Sequence, residues 1–291
     1  MFGTNEIVGQ KFFKTAPDGA LYVTSMFFTL QGEGPFAGKP ALFIRLAKCN
    51  LNCSFCDTFF DDGDWMTFSK LQTKIYHTIC DYWNSRGEQV PLWVLPRGSK
   101  RFNVVLVVTG GEPLLQKNLM EFLNEVQHTF LDIQIESNGT VNQTVPDHVT
   151  LVCSPKCAEK NGVAIKYLAP TDLILKRADC LKFVMNADPS SPYSTIPDWA
   201  FAWRDASPFN EIYISPMNVY NDFPQKIKLM RSTKETITLA DRSTVDEVIS
   251  FWEPGLLNLK ENQINHEYVG RYCLENGFRL NLQQHLYVSM A

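Results

Sequence analysis

Three cysteines stand close together in the sequence CNLNCSFC: Cys49, Cys53 and Cys56, separated by three and then two residues. They come directly after a short apolar run, so they fall in a loop that follows a predicted strand. Thiolates are soft ligands, which suit either zinc or an iron–sulfur cluster. The alternative is three unrelated thiols buried as small apolar groups. Their grouping in one short loop favours a metal centre.

A structural zinc site is normally completed by a fourth cysteine or histidine. The histidines lie far from this loop in the sequence, at His77, His128, His148, His266 and His285. Three cysteine ligands therefore leave one position of the metal centre open. In a four-iron cluster, one iron would lack a thiolate and could accept a ligand from a cofactor.

Glycine-rich and polar sequences follow the predicted strands downstream of the cysteines. They are TGGEP at Thr109–Pro113, ESNGT at Glu136–Thr140 and SPK at Ser154–Lys156. The glycines would allow close backbone approach to a ligand, and Glu112 could accept from an ammonium group. Each sequence could instead be a solvated turn. Ligands bind at the carboxyl edge of parallel sheets, so the shared placement favours a binding site.

Further polar residues flank the cysteine loop. Arg45 lies on the strand before it, where a guanidinium requires an anion: a substrate carboxylate or an acid within the protein. Asp57 and Thr58 place two oxygen donors after the last cysteine, which suits Mg²⁺ or a simple turn or cap. Upstream, the segment 30–34 reads LQGEG and combines glycines with an amide and a carboxylate.

Short β-rich runs alternate with segments of helical period along the chain. The predicted strands are Ala41–Leu46, Val104–Thr109, Asp132–Glu136, Thr150–Ser154, Leu181–Val184 and Glu211–Ser215, with Phe278–Leu282 as a candidate seventh. One helix is predicted after an N-cap at Thr67, from the spacing of Leu71, Ile75 and Ile79, and another over Leu114–Phe130. This alternation predicts a parallel sheet with helices packed outside it.

The 291 residues show no convincing linker and no internal repeat, so we expect a single domain over 1–291. Three segments interrupt the alternation, at about 84–103, 186–208 and 218–262, and are predicted insertions at the surface or over the site. Hydrophobic residues make up 45% and charged residues 20% of the chain, as in globular proteins.

The formal net charge of −4 gives no broad attraction to phosphate backbones, which favours a small-molecule substrate over direct nucleic-acid binding. The first twenty residues lack the basic start and apolar stretch of a signal peptide, and no apolar run reaches the roughly 18 residues of a membrane span. We therefore expect a cytoplasmic protein without a membrane segment. Its eight cysteines are then expected to remain thiols or metal ligands rather than disulfides.

The cysteine spacing, the aromatic Phe55 before the last cysteine and the TGGEP sequence about fifty residues later resemble the radical S-adenosylmethionine superfamily. In that superfamily, the open iron of a 4Fe–4S cluster binds the amino and carboxylate groups of S-adenosylmethionine. Electron transfer then cleaves the sulfonium to a 5′-deoxyadenosyl radical. Because the resemblance implies that the radical is generated on the cofactor, no side chain is assigned as a catalytic residue.

Within the superfamily, the combination of LQGEG, Arg45, CDT, TGGEP, ESNGT, SPK, ISPM and LNLQQH resembles the 7-carboxy-7-deazaguanine synthase family, from about Phe28 to Tyr287. The resemblance implies an α/β fold, an incomplete TIM-type barrel of about six parallel strands, in a homodimer. It implies ring contraction of 6-carboxy-5,6,7,8-tetrahydropterin to 7-carboxy-7-deazaguanine with loss of ammonia, in queuosine-type biosynthesis. It also implies Mg²⁺ and an external electron donor such as flavodoxin.

The resemblance assigns roles by position in this sequence. The metal ligands are Cys49, Cys53 and Cys56 for the cluster and Thr58 for Mg²⁺. The cofactor-binding positions are Phe55, Asp57, Gly111, Glu136, Asn138, Ser154, Lys156 and Gln283. The substrate-binding positions are Leu30, Gln31, Gly32, Arg45 and Thr109.

Two rival hypotheses stay open. A glycyl-radical-enzyme activating enzyme would share the cysteine triplet but need not carry LQGEG or CDT. A zinc-stabilised binding module would use the thiols without any radical chemistry. Separately, Cys153 and Cys157 repeat the first cysteine spacing, with Cys180 and Cys273 also present, so a second cluster competes with incidental buried thiols.

Overall fold

The computed structural model describes residues 6–94, 99–219, 235–238, 244–247 and 259–284. The strands are β1 Ala20–Leu30, β2 Pro40–Leu46, β3 Asp64–Thr67, β4 Leu92–Val94, β5 Lys100–Gly110, β6 Phe130–Ser137, β7 Thr150–Cys153, β8 Cys157–Lys160, β9 Val163–Tyr167, β10 Cys180–Met185, β11 Glu211–Pro216, β12 Glu235–Thr238, β13 Thr244–Glu247 and β14 Arg279–Leu280. The α-helices are α1 Phe68–Asn84, α2 Leu119–Val126, α3 Asp172–Arg177, α4 Asp198–Asp205 and α5 Leu259–Asn276.

Six parallel strands form the centre of the molecule, in the order β2, β5, β6, β7, β10 and β11. These are the six strands predicted from the sequence. The candidate seventh forms as the short β14, which pairs in parallel with β11. The fold is therefore α/β with an open, mostly parallel sheet, the incomplete TIM-type barrel expected from the resemblance.

The opposite edge of the sheet is antiparallel, and the sequence interpretation did not include it. The eleven-residue β1 pairs antiparallel with β2, and β3 pairs antiparallel with β1. A hairpin formed by β8 and β9 stands outside the main sheet.

Helix α1 matches its prediction, because the Thr67 side chain accepts a hydrogen bond from the Lys70 N–H and caps it. Leu71, Ile75 and Ile79 form its buried face. This stripe packs the helix against the sheet, as the i, i+4 spacing requires.

The predicted helix over 114–130 is wrong in extent. A short 3₁₀ turn at Pro113–Leu115 is followed by α2, which ends at Val126. The break has a physical cause: the Gln116 side chain both donates to the Tyr22 carbonyl and accepts from the Tyr22 N–H. Asn118 likewise donates to the Ala20 carbonyl. These side chains satisfy the start of β1 instead of continuing a helix.

The three predicted insertions are only partly within the described residues. Segment 84–103 contains β4, and segment 186–208 contains α4, which lies between β10 and β11. Of segment 218–262, the structure describes residues 218–219, the antiparallel pair of β12 and β13, and residues 259–262 at the start of α5. Among the helices in the described ranges, none is both long enough and apolar enough to cross a membrane.

Candidate active site

A cavity of about 230 Å³ opens at the carboxyl ends of the parallel strands. All of the predicted site residues line it except Leu30 and Gly32. Residues that the sequence interpretation did not assign also line it, among them Glu33, Phe43, Leu51, Gly110, Ser137, Lys182, Val184, Ser215 and Asn218. The parallel topology thus brings together segments separated by up to about 250 residues of sequence.

The side-chain alternation of β2 selects which residues reach the cavity. Leu42 and Ile44 are fully buried in the main hydrophobic core, on the face of the sheet that also contacts the helices. Phe43 and Arg45 lie on the other face and line the cavity. Arg45 is opposite Thr109 in the register of β2 and β5, so both predicted substrate residues belong to one wall.

The cysteine loop begins at a left-handed residue. Lys48 has a φ of 71° and is buried, with its Nζ 2.6 Å from Asp61 Oδ1 and 3.2 Å from Glu6 Oε2. The Lys48 N–H donates to the Phe60 carbonyl, and the Cys49 carbonyl accepts from the Val8 N–H. These bonds hold both ends of the loop and turn Cys49 toward the cavity.

The three thiols share this cavity, and each is largely shielded from water. Burial raises the pKa of all three thiols, to about 11 for Cys53 and about 12 for Cys56. Lys156 partly opposes this rise at Cys53, and Asp57 adds to it at Cys56. The thiols are therefore protonated at neutral pH, and binding of a metal cluster would release their protons.

In the described part of the chain, no three His, Cys, Asp or Glu side chains are grouped so as to hold a single metal ion. A cubane cluster makes a different demand, because each thiolate binds a different iron of a larger body. Three thiols line one cavity, and no fourth cysteine or histidine lines it among the residues that the structure describes, which fits that demand. The donor set suits a 4Fe–4S cluster with one open iron.

The two glycines of TGGEP are required by the packing of the protein's own backbone. A Cβ on Gly110 would lie 2.2 Å from the Leu46 carbonyl oxygen, and one on Gly111 would lie 1.9 Å from that of Lys48. Gly110 also has a φ of 120°. The close approach is thus between the end of β5 and the start of the cysteine loop, which fixes the loop against the sheet.

Glu112 does not face the cavity, contrary to the expectation that its carboxylate would be available to an ammonium group. The residue is 1% exposed, and its oxygens accept from the Leu114 N–H, the Ser137 hydroxyl and the Asn138 N–H at 2.7–3.0 Å. Burial raises its pKa. Glu112 therefore joins the TGGEP turn to the ESNGT turn.

Asn138 extends this connection to the cysteine loop. Its Nδ2 donates to Asn50 Oδ1 at 2.9 Å, and its Oδ1 accepts from the Thr140 hydroxyl at 2.6 Å. Asn50 also donates to the Thr140 hydroxyl at 2.7 Å. The ESNGT sequence thus helps to hold the loop that carries the thiols.

Lys182, on β10, lines the same cavity and lies between two carboxylates. Its Nζ is 2.8 Å from Glu33 Oε2 and 2.7 Å from Glu136 Oε2, and the residue is only 6% exposed. Burial alone would lower the pKa of Lys182, but the two carboxylates outweigh burial and raise it. In the same way Lys182 lowers the pKa of Glu136 against the effect of burial.

The two carboxylates are held by further hydrogen bonds. Glu136 Oε1 accepts from Gln134 at 2.9 Å and Gln31 at 3.3 Å. Glu33 Oε1 accepts from Ser215 and Asn281, each at 3.4 Å. This network connects LQGEG, the ends of three strands and the C-terminal segment.

Lys156 is a further cation at the cavity, besides Arg45 and Lys182. Its Nζ donates to the Ser154 carbonyl at 2.7 Å and to the Ser154 hydroxyl at 2.6 Å. An ammonium group has three donors, so one remains for an acceptor in the cavity. Burial lowers its pKa. The SPK sequence thus presents a positive charge beside the thiols.

Asp57, Thr58 and Gln283 lie together at the mouth of the cysteine loop. The Thr58 hydroxyl donates to Asp57 Oδ1 at 3.1 Å, and Gln283 Nε2 donates to Asp57 Oδ2 at 3.4 Å. Gln283 Oε1 in turn accepts from Asn218. The predicted cofactor residue Gln283 thus joins the C-terminal segment to the cysteine loop.

The remaining cysteines belong to the interior of the protein. Cys153 and Cys273 are part of the main hydrophobic core, and Cys180 packs in a smaller apolar cluster. Cys157 is buried at the base of the β8–β9 hairpin. Their burial among apolar side chains is the environment of the buried-thiol alternative.

Comparison with known proteins places the chain in a family. No family model matches it. It is 34% identical over 178 residues to the 7-carboxy-7-deazaguanine synthase of Rickettsia prowazekii, covering 61% of this chain and 67% of that protein. It is 32% identical over 202 residues to the 7-carboxy-7-deazaguanine synthase of Rhodospirillum rubrum, covering 68% and 71%.

A solved structure supports the same fold. The crystal structure of QueE from Escherichia coli matches with a TM-score of 0.51 and 19% identity, covering 94% of this chain and 98% of that one. At 19% identity the structural match supports the fold alone. The family is shown by the sequence relatives. With identities above 30% over two thirds or more of its relatives, the chain belongs to the 7-carboxy-7-deazaguanine synthase family.

Proposed function

We propose that this chain is a radical S-adenosylmethionine lyase that converts 6-carboxy-5,6,7,8-tetrahydropterin to 7-carboxy-7-deazaguanine with loss of ammonia. The observation that carries the proposal is one cavity at the strand ends that combines three thiols, the three cationic side chains of Arg45, Lys156 and Lys182, and a ring of fixed polar groups. Its relatives bear the name of this synthase. A carboxylated pterin requires cationic and hydrogen-bonding partners, which this cavity supplies.

The thiols of Cys49, Cys53 and Cys56 hold the 4Fe–4S cluster in this proposal. When bound, the cluster and S-adenosylmethionine together supply a radical that abstracts hydrogen from the substrate. Phe55 and Asp57 in the loop, Gly111, Glu136, Asn138 and Ser154 at the strand ends, and Lys156 and Gln283 beside them contact the cofactor. Lys156 offers its remaining donor to a carboxylate, as its position beside Ser154 allows.

Arg45, Thr109 and Gln31 form the substrate wall of the cavity. Leu30 and Gly32 flank Gln31 in the chain without lining the cavity, and their substrate contacts stay a prediction. The Arg45 guanidinium lies over the Phe27 ring, 4.9 Å from its centroid, and Phe27 stacks on Phe43. This aromatic support limits where the guanidinium can point. Arg45 is thereby positioned to bind the substrate carboxylate.

Thr58 is the proposed Mg²⁺ ligand, supported by its place in the cavity beside Asp57. Hydroxyl and carboxylate oxygens are ligands that Mg²⁺ accepts. We further propose that the enzyme works as a homodimer, takes its electron from an external donor such as flavodoxin and supplies queuosine-type biosynthesis.

The test is anaerobic incubation of the iron-reconstituted enzyme with dithionite, S-adenosylmethionine and 6-carboxy-5,6,7,8-tetrahydropterin, followed by mass analysis. We expect 7-carboxy-7-deazaguanine only when all components are present, and a lower yield after treatment with EDTA. Cleavage of S-adenosylmethionine without any deazaguanine product would contradict the substrate assignment and favour the activating-enzyme alternative.

A further inference from the structure

The β8–β9 hairpin contacts the cysteine loop directly. Glu159 of the hairpin accepts from the Ser54 N–H at 2.8 Å through one oxygen and from the Tyr193 hydroxyl at 3.2 Å through the other. The same hydroxyl accepts from the Cys157 N–H, and the Tyr193 ring packs edge-on against Phe55 at 5.1 Å. The inner face of the hairpin is therefore fixed against the residues between Cys53 and Cys56.

The hairpin is a rigid element because it closes through a two-residue turn. Asn161 and Gly162 both have positive φ angles, of 53° and 76°. An Asn-Gly turn of this kind matches the twist of the strands it joins. The strand register places Lys160 opposite Val163 and Lys166 opposite Ala158, so these four residues share the outer face.

That outer face is both apolar and basic. Val163 is 66% exposed and the neighbouring Ile165 57% exposed, and Lys160 and Lys166 are exposed beside them. Neither lysine forms an ion pair among the described residues. Apolar side chains bordered by like charges are typical of a surface that binds a partner of opposite charge.

We propose that this outer face is the docking surface for a small acidic, flavin-carrying electron-donor protein. The inference rests on the proposed function, which requires the cluster to be reduced by one electron from outside the chain before S-adenosylmethionine is cleaved. In the transfer, the partner's reduced flavin loses one electron and the cluster on the cysteines gains it. The hairpin contacts the loop segment between Cys53 and Cys56, so a partner seated on the hairpin lies close to the thiols that would hold the cluster.

The positive charge of this surface favours an acidic partner. The chain has a formal net charge of −4, which disfavours the approach of an acidic protein in general. Lys160 and Lys166 on one exposed face attract an acidic protein locally, although the net charge of the whole chain is negative. The apolar pair between them supplies the area that leaves water on contact.

The test uses an acidic bacterial flavodoxin as the probe and the full-length, iron-reconstituted enzyme. The first variant, Lys160→Glu with Lys166→Glu, reverses the charge of the face, and the second, Val163→Ser with Ile165→Ser, removes its apolar area. The matched control is Phe209→Ser with Leu274→Ser, since these side chains are 85% and 86% exposed outside the hairpin. The readouts are the dissociation constant of the flavodoxin by calorimetry, and cleavage of S-adenosylmethionine driven by reduced flavodoxin or by dithionite.

We expect the charge reversal to weaken flavodoxin binding at least about tenfold and to reduce its salt dependence, with a smaller loss for the serine pair and none for the control. Flavodoxin-driven cleavage falls in parallel, whereas dithionite-driven cleavage stays as in the wild type. An unchanged dissociation constant in both hairpin variants would overturn the docking proposal while leaving the proposed function intact. Loss of dimers by sedimentation, with flavodoxin binding unchanged, would likewise overturn it and make the face a contact between copies. Absence of dithionite-driven cleavage in the wild type would instead count against the proposed function.

Discussion

At the scale of single residues, Lys182 stabilises the cavity by separating two carboxylates that would otherwise face each other. Its side chain is 7% exposed, and those of Glu33 and Glu136 are 16% and 14% exposed. Such a buried arrangement is costly to form, yet breaking it is more costly still, because unpaired charge stays behind. Lys182 is therefore required for the folded shape of the cavity.

We predict that Lys182→Met lowers the free energy of unfolding by about 3 to 5 kcal/mol at neutral pH, since two buried carboxylates lose their cation. Urea denaturation measures the change. The matched control is Lys117→Met, because Lys117 pairs with the 99% exposed Asp18 and such pairs contribute at most about 1 kcal/mol. Equal, small losses in both variants would refute a structural role for the buried network.

The same variant has a predicted pH dependence. Lys182 lowers the folded pKa of Glu136, so the pair adds stability that is present above the unfolded carboxyl pKa of about 4.3. That contribution is lost as the pH falls through the lower, folded value. In Lys182→Met, Glu136 loses the cation that lowers its pKa and takes up a proton more readily, so the stability gap to the wild type should narrow from pH 7 to pH 4. A gap that widens over this range would contradict the assignment.

Arg45 is predicted to act on the substrate and not on the cofactor. Arg45→Ala should reduce kcat/KM for the pterin by about 10- to 100-fold, the value of a charged hydrogen-bonding partner. Cleavage of S-adenosylmethionine without substrate should stay near the wild-type rate. Arg271→Ala is the control, since that side chain is 72% exposed on α5. Equal losses in both reactions would argue that Arg45 instead maintains the cysteine loop.

At the scale of elements, the site depends on how closely the end of β5 approaches the cysteine loop. The Gly111 N–H donates to the Leu46 carbonyl and the Glu112 N–H donates to the Lys48 carbonyl, both at 2.9 Å. These backbone bonds leave no room for a side chain between the two segments. Packing of backbone on backbone thus orients the first cysteine.

Gly111→Ala should displace the cysteine loop and reduce bound iron to well below half of the wild-type content, because its Cβ would lie 1.9 Å from the Lys48 carbonyl oxygen. Gly270→Ala on α5 is the control, because a Cβ there meets nothing within 4 Å. The higher helix propensity of alanine should raise the free energy of unfolding by about 0.5 to 1 kcal/mol. Iron analysis and thermal unfolding measure the two effects. Full iron content in Gly111→Ala would contradict this account of the loop.

The six parallel strands and α1 were predictable because their apolar spacing agrees with their final burial. The antiparallel β1 and the β8–β9 hairpin were missed, although Asn161-Gly162 is a strong hairpin signal. The helix after Pro113 was predicted too long, since Gln116 pairs with Tyr22, 94 residues away. Long-range hydrogen bonds of this kind leave no local trace in the sequence.

The candidate site likewise contains residues that were predictable from the sequence and residues that were not. The cysteines and the strand-end motifs have local signatures, and the fold brings them into one cavity. The sequence predicts Lys182 only as part of a strand, because its partners Glu33 and Glu136 lie 149 and 46 residues away. Because Glu112 follows two glycines, the sequence predicts that its carboxylate contacts a ligand. In the structure it accepts hydrogen bonds from Ser137 and Asn138 at the end of β6.

At the scale of the whole molecule, the open sheet places the carboxyl ends of its parallel strands along one edge, and the cysteine loop and the C-terminal segment meet there. Asn281 donates to Ser215, and Gln283 donates to Asp57, so the end of the described chain contacts both the last long parallel strand and the metal loop. The cavity is therefore a product of the complete topology. Its central chemical claim is a cluster bound by three thiols with one iron left for the cofactor.

The most direct measurement is iron content and electron paramagnetic resonance of the anaerobically reconstituted, reduced enzyme, with and without S-adenosylmethionine. We predict about four irons per chain and a cluster signal that changes when S-adenosylmethionine is added, because the cofactor binds the open iron. Alanine at Cys49, Cys53 or Cys56 should abolish the signal, whereas alanine at the core residue Cys273 should preserve it. A full cluster signal that is unaffected by S-adenosylmethionine, or that survives in all three variants, would contradict the account.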